Sequence, residues 1–170
     1  MSPRTARTYR RTCLAAVLVG SATLLTAAAI AADLDCAKLL VPEDIKSACG
    51  ATVTVVYAQP APTLGNGCTI MHKTVAGDSV RVDLANYPPA TAKAMFDLRN
   101  ATTEKDLKPI PGLGDKARQY HLTNVDVDKV DVLRGSRLLS IWSGKKQKAQ
   151  VCSYEQMQRL AKTVLGRLPN

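Results

Sequence analysis

Two residues open the question of chemistry, because His72 and His121 are the only histidines in the chain. A general base near neutral pH is most often an imidazole. A serine nucleophile would need such a base, an orienting acid and an exposed elbow of the G-x-S-x-G kind. The sequence contains no such elbow. Ser79 follows Gly77-Asp78, but that triplet reads as a hairpin turn. His72 and His121 both fall in stretches that read as strands, where a histidine is more often an ordinary packed or surface residue. A nucleophilic cysteine must be free and have a lowered pKa. The cysteines here read instead as oxidised pairs.

Metal binding has two candidate sets. Asp126, Asp128 and Asp131 form D-x-D-x-x-D, and calcium favours several oxygen ligands. The run lacks the glycine and distal glutamate of an EF-hand loop, so a wet face or turn is the plainer reading. Zinc would need His72 and His121 brought together with a third ligand. Lys145, Lys146 and Lys148 form a basic loop that could touch anionic lipid or polymer through weak, salt-sensitive attraction. A solvated hairpin-to-helix loop is the plainer reading of them. Tyr57, Tyr87, Tyr120 and Trp142 are candidates to line a ligand cleft, against the simpler reading as core or sheet-face residues. No cofactor motif is present, and no residue is assigned a catalytic or metal-binding role.

The elements that would hold these residues read as follows. Pro42 suits a first helical position, Glu43 and Asp44 suit the positive end of a helix, and Gly50 suits its stop. Residues 51–57 are β-branched and read as a strand, followed by a turn-rich loop over 59–67. Residues 68–74 and 79–86 are two more strands around the turn Ala76-Gly77-Asp78. In the latter, Val80, Val82 and Leu84 alternate with Arg81, Asp83 and Ala85, which predicts one buried face. Pro88-Pro89 opens a helix to about Asn100, and residues 100–108 read as a polar connector. Pro109-Ile110-Pro111-Gly112-Leu113-Gly114 reads as a rigid crossover between two halves, with Leu113 plugged into the core. Residues 116–122, 129–133 and 137–143 are strands, the last two forming a hairpin around Gly135. Residues 123–128 are either strand edge or loop. Ser153 and Gln156 make a capping box for a final helix. Met157, Leu160, Ala161, Val164, Leu165 and Leu168 recur at helical spacing along it. The fold class is therefore α+β: an antiparallel sheet of about five to six strands with packed helices. The order also suggests two similar α-β-β-β halves plus a C-terminal helix.

Composition places the chain outside the cytoplasm. Arg4, Arg7, Arg10 and Arg11 precede an acid-free apolar run from Cys13 to Ala32. Ala29-Ile30-Ala31 has the small-x-small form of a cleavage site. Residues 1–32 thus read as a signal peptide, with a mature N-terminus near Ala32 or Asp33. The competing reading is an uncleaved anchor, since the run is about long enough to span a bilayer. Cys13 opens the apolar run rather than following it, so it does not read as a lipidation site. Residues 33–170 are then a single disulfide-stabilised domain, exported to the periplasm or beyond, with no stable membrane insertion after cleavage. Removing the four arginines takes the formal net charge from +9 to +5. No basic stripe interleaved with aromatics remains, which argues against nucleic acid as a partner.

Cys36, Cys49, Cys68 and Cys152 are left in the mature chain. An even number in an exported domain implies two disulfides, and four cysteines allow three connectivities. Pairing Cys36 with Cys49 would require residues 37–42 to double back along about 10 Å of helix to bring the α-carbons within roughly 7 Å.

Cys36-x-x-Leu39-Leu40, the short helix ending at Gly50, Cys68-Thr69, Pro111-Gly112-Leu113-Gly114-Asp115-x-Ala117, the Gly-turn hairpin and a last helix ending in Arg167-Leu168 recur here in one order. That order resembles a family of uncharacterised bacterial exported domains, many of them lipoproteins and many from actinobacteria. The resemblance covers nearly the whole mature chain. This chain departs from it in having no lipoprotein cysteine and no aromatic after Cys68-Thr69. The resemblance implies the pair Cys36–Cys68, which leaves Cys49 for Cys152 across a very long loop. It implies no reaction.

The functional expectation is an exported cell-envelope protein acting as a non-enzymatic binding or interaction module, with another envelope protein or a surface polymer as partner. The alternative is a small-ligand binder with a pocket between the sheet and the C-terminal helix. A hydrolytic enzyme is the least favoured class. A concave apolar pocket would argue for the ligand binder, and a flat apolar patch over a filled core for the interaction module.

Overall fold

The computed structural model describes residues 34–98, 102–144 and 150–169. The expected signal peptide at residues 1–32, the helix end expected near residue 100, and Lys145, Lys146 and Lys148 lie outside the described residues. The elements run α1 (Cys36–Leu39), α2 (Pro42–Cys49), β1 (Thr54–Ala61), β2 (Gly67–Lys73), β3 (Ser79–Asn86), α3 (Pro89–Asp97), β4 (Glu104–Pro109), β5 (Lys116–Leu122), β6 (Val127–Arg134), β7 (Arg137–Gly144) and α4 (Tyr154–Arg167). All seven strands form one antiparallel sheet in the order β1-β2-β3-β7-β6-β5-β4.

The class is α+β with an antiparallel sheet, but there are seven strands rather than five or six. The added strand is β4, which replaces the expected polar connector. Its sequence Glu-Lys-Asp-Leu-Lys-Pro carries no alternating apolar signal because it is an edge. Charges, a terminal proline and an irregular register between Lys105 and Lys108 protect such an edge from pairing with another chain. Asp106 takes a left-handed conformation at that irregularity (φ 55°). β1 also runs on through Pro60 to Ala61, where a turn-rich loop was expected. Proline is tolerated there because β1 is the opposite edge strand.

The Pro109–Ala117 stretch is a second correction. It does not link two halves; it closes the β4–β5 hairpin. Leu113 is buried in the core. Gly114 is required, because a Cβ there would sit 2.5 Å from the Leu133 carbonyl oxygen and its φ is +65°. The passage between the strand meanders β1-β2-β3 and β4-β5-β6-β7 instead includes α3, and the meanders meet along the β3–β7 seam. The helices that follow them do not repeat, for α3 and α4 pack on opposite faces of the sheet.

One face is the main core. Cys68, Ile70, Val80, Val82, Leu139, Ile141, Val130 and Val132 point to it from the strands. Leu39, Leu40 and Ile45 from α1 and α2, with Met157, Leu160, Ala161, Val164 and Leu165 from α4, cover it. Ser153 caps α4: its hydroxyl accepts from the Gln156 N–H, and the Gln156 side chain accepts from the Ser153 N–H. Two disulfides fix this layer. Cys36–Cys68 ties α1 to β2, and Cys49–Cys152 ties the end of α2 to the start of α4. Arg167 adds a two-pronged ion pair to Asp44 at 2.6 and 2.8 Å. Burial is the largest single influence on the Asp44 carboxyl and pushes its pKa up. The Arg167 pair and the Val41 N–H together outweigh it and hold the carboxyl below its usual range. Among the described residues, no helix is long and apolar enough to cross a membrane.

Candidate functional site

The second face carries α3, which packs Ala92 and Phe96 on Leu133 over one end of β6 and β7. The rest of that face is a packed layer of polar and aromatic side chains, in which Arg118, Tyr120, Asp131 and Ser140 are buried. The register lays its residues out in rows across the strands. One row reads Tyr57, Met71, Arg81, Trp142, Lys129, Tyr120 from β1 to β5. The next reads Gln59, Thr69, Asp83, Ser140, Asp131, Arg118. Side chains two apart on a strand share a face, so the alternation in β3, β5, β6 and β7 sends every one of these residues to the same side.

The first row alternates aromatic rings with cations. Lys129 Nζ lies 4.4 Å from the Trp142 ring centre and 5.5 Å from that of Tyr120. The Arg81 guanidinium stands 5.7 Å from the Trp142 ring centre. The Arg118 guanidinium lies between Phe96 of α3, at 4.8 Å, and Tyr120, at 5.2 Å. Such contacts hold cations in place and stiffen the face.

Asp131 is the charge centre of the second row. Its Oδ1 accepts from the Ser140 hydroxyl at 2.6 Å and faces Lys129 Nζ at 3.2 Å. Its Oδ2 accepts from the Tyr120 hydroxyl at 2.7 Å and from Arg118 Nε and a terminal nitrogen at 3.4 and 3.3 Å. Burial, together with the Asp131 charge, pushes the Tyr120 hydroxyl pKa up, so it stays a donor. A carboxylate with four donors is an anchor and has no lone pair left to act as a base. Asp83 similarly accepts from Thr69 at 2.7 Å and pairs with Arg81.

Clefts flank α3 on both sides. Toward β1–β3 a cleft of about 270 Å³ is lined by Tyr87, Met95, Leu138, Thr69, Arg81 and Asp83, among others. Toward β4 and β5 a larger cleft of about 510 Å³ has Phe96, Leu107, Pro109, Ile110, Pro111 and Ala117 as its walls. Lys116, Arg118 and Asp97 complete it. Neither cleft lies between the sheet and α4, where Met157, Leu160, Ala161 and Val164 are fully buried.

The aromatic candidates therefore share one face. Tyr57, Tyr120 and Trp142 lie on the first row, and Tyr87 lines the smaller cleft. Phe96 and Leu107 were missed as site residues. Phe96 read simply as a helix face, and Leu107 sat in an apparent connector. Only the register of β4 on β5 reveals its role.

The metal candidates are dispersed. Asp128 points to the face covered by α1, α2 and α4, with Val130 and Val132, whereas Asp131 points to the face that carries α3. His72 on β2 and His121 on β5 are four strand spacings apart, about 19 Å. Among the described residues, no group of three or more His, Cys, Asp or Glu is placed to hold a metal ion. His121 is clasped by two carboxylates, with Nδ1 2.8 Å from Asp128 and Nε2 3.5 Å from Asp126. Both ring nitrogens are thus engaged by carboxylates. Ser143, one register step from Asp128, is fully buried and its oxygen accepts from the Cys152 N–H. His72 is fully buried, and among the described residues neither ring nitrogen has a hydrogen-bond partner. Burial lowers its pKa against the opposing field of Asp44, so the ring is held neutral.

Comparison with protein-family models, with curated proteins and with solved structures finds no match to this chain.

Proposed function

We propose that this chain is an exported, disulfide-stapled, non-enzymatic binding module of the cell envelope, and that it binds through the sheet face around α3. The observation that carries this reading is the apolar cleft of about 510 Å³ between α3, β4 and β5. Its size is that of a ligand site, and it is concave rather than flat. The ionisable groups of the face are already committed to one another, as expected of a preorganised surface and not of groups free to move protons. Of the two binding readings, the cleft favours a small ligand, placed beside α3 instead of beneath α4. The export signal and the order shared with bacterial exported domains supply the location.

The environment-sensitive apolar dye anilinonaphthalene sulfonate tests the cleft. The mature protein, residues 33–170, should enhance its fluorescence saturably. Leu107→Lys, which places a charge in the cleft wall on an edge strand, should abolish most of that enhancement while near-UV circular dichroism stays native. Equal enhancement by the variant would place the apolar site elsewhere and remove the basis of the reading.

A further inference from the structure

The chemistry of the cleft between α3 and the β4–β5 hairpin narrows what it can hold. Its hairpin wall is Pro109-Ile110-Pro111. Two of these three residues have no backbone N–H. The third spends its own, because the Ile110 N–H donates to the Ala117 carbonyl at 2.9 Å. That wall therefore offers no backbone donor to an occupant. Arg118 is committed to Asp131 and to the Leu98 carbonyl, and presents its plane to Phe96. An acceptor oxygen placed against that wall would lose its water and find no backbone donor there. The interior suits a hydrocarbon.

The mouth is different. Lys116 and Asp97 line the cleft and are about half exposed. Asp97 pairs with Lys93 at 2.6 Å and Lys116 at 3.2 Å. Two ammonium groups thus share one carboxylate, which leaves one positive charge in excess where the cleft meets water. A hydrocarbon-lined cavity with a cationic mouth complements an amphiphile with an anionic head.

We propose that the cleft takes the acyl chain of a fatty-acid-like amphiphile, with its anionic head at Lys93 and Lys116. This rests on the reading of the cleft as the binding site. The same chemistry occurs in a free fatty acid and in an anionic membrane lipid. The rigid Pro-Ile-Pro wall keeps the cavity formed without its occupant, so ordering costs on binding are small.

The test uses three probes of one chain length on the mature protein: decanoate, decanol and decyltrimethylammonium. Binding is followed by displacement of anilinonaphthalene sulfonate and by amide shifts of Leu107, Ile110 and Ala117. Decanoate should bind tightest, about three- to five-fold over decanol at low salt, as expected of one exposed charge. The advantage should shrink at high salt. Lys116→Glu should reverse the order, favouring decyltrimethylammonium. Vesicles of phosphatidylglycerol separate the sources: co-sedimentation assigns the chain to a membrane lipid, and decanoate binding without it assigns a free amphiphile. If the dye binds in the cleft but decanoate binds no better than decanol, the anionic head is refuted while the cleft survives. If neither dye nor decanoate moves the cleft amides, the cleft is not the site and both readings fall.

Discussion

At the scale of single residues, burial decides which groups are chemically available. His72 is a polar ring in an apolar layer, held neutral by desolvation. Its folded pKa lies below the unfolded value near 6.5. As the pH falls through 6.5 the unfolded chain gains a proton that the folded ring refuses. Stability is therefore fully present above that pH and declines below it, until the folded pKa is reached. His72→Leu should flatten this part of the stability curve. Urea unfolding at pH 7.5 and 5.0 measures it: an unchanged pH difference between wild type and variant would exonerate His72. Asp131 makes the opposite case, a buried charge fully paired. Asp131→Ala strips the partner from Arg118, Lys129, Tyr120 and Ser140 together and should cost about 3–5 kcal/mol. A loss below about 1 kcal/mol would mean those groups find other partners. Sequence singled out both histidines and Tyr57, Tyr87, Tyr120 and Trp142, but not Asp131 as the shared partner of Arg118, Lys129, Tyr120 and Ser140. Its neighbours in sequence, Asp126 and Asp128, suggested an acidic cluster, and only strand alternation separates Asp128 from Asp131 by a whole sheet.

At the scale of elements, legibility followed amphipathicity. α4 repeats its apolar residues at helical spacing and carries a capping box, so periodicity and cap agreed on one helix. β3 alternates cleanly for the same reason. β4 has one apolar residue, Leu107, because an edge strand beside a cleft needs no buried face of its own. The site was thus legible in its aromatics and illegible in the larger of the two clefts beside α3. That cleft joins Phe96, Leu107 and Ile110, which belong to three different segments, and joining them requires the β4 register. The α4 cap offers a check at this scale. Ser153→Ala leaves the Gln156 N–H without its acceptor and should cost about 1 kcal/mol. An unchanged thermal midpoint would show that α4 is held by its packing and the Cys49–Cys152 bridge alone.

At the scale of the whole molecule, two disulfides hold the helical layer on one face of the sheet, opposite the face that carries α3. Their placement makes them unequal. Cys36–Cys68 closes a sequence separation of 32 and Cys49–Cys152 one of 103. In the chain-entropy model these closures contribute about 3.7 and about 4.7 kcal/mol. The longer bridge also joins the N-terminal α2 to the start of α4, so it restricts the unfolded chain over most of its length. Cys49→Ala with Cys152→Ala should therefore destabilise the mature domain by about 1 kcal/mol more than Cys36→Ala with Cys68→Ala on loop entropy. Burial opposes this order, because Cys36 and Cys68 are both fully packed whereas Cys49 is only half-buried. Replacing buried sulfur leaves space that the core must collapse to fill. The two contributions separate under thiol reduction of the wild-type protein, which opens each loop without deleting a side chain. The less buried Cys49–Cys152 bridge should be reduced first, and that single step should remove most of the stability lost on full reduction. Alkylation and peptide mapping along the reduction course decide it. Early labelling at Cys36 and Cys68, or peptides joining Cys36 to Cys49 in the exported protein, would overturn both the order and the connectivity on which it depends.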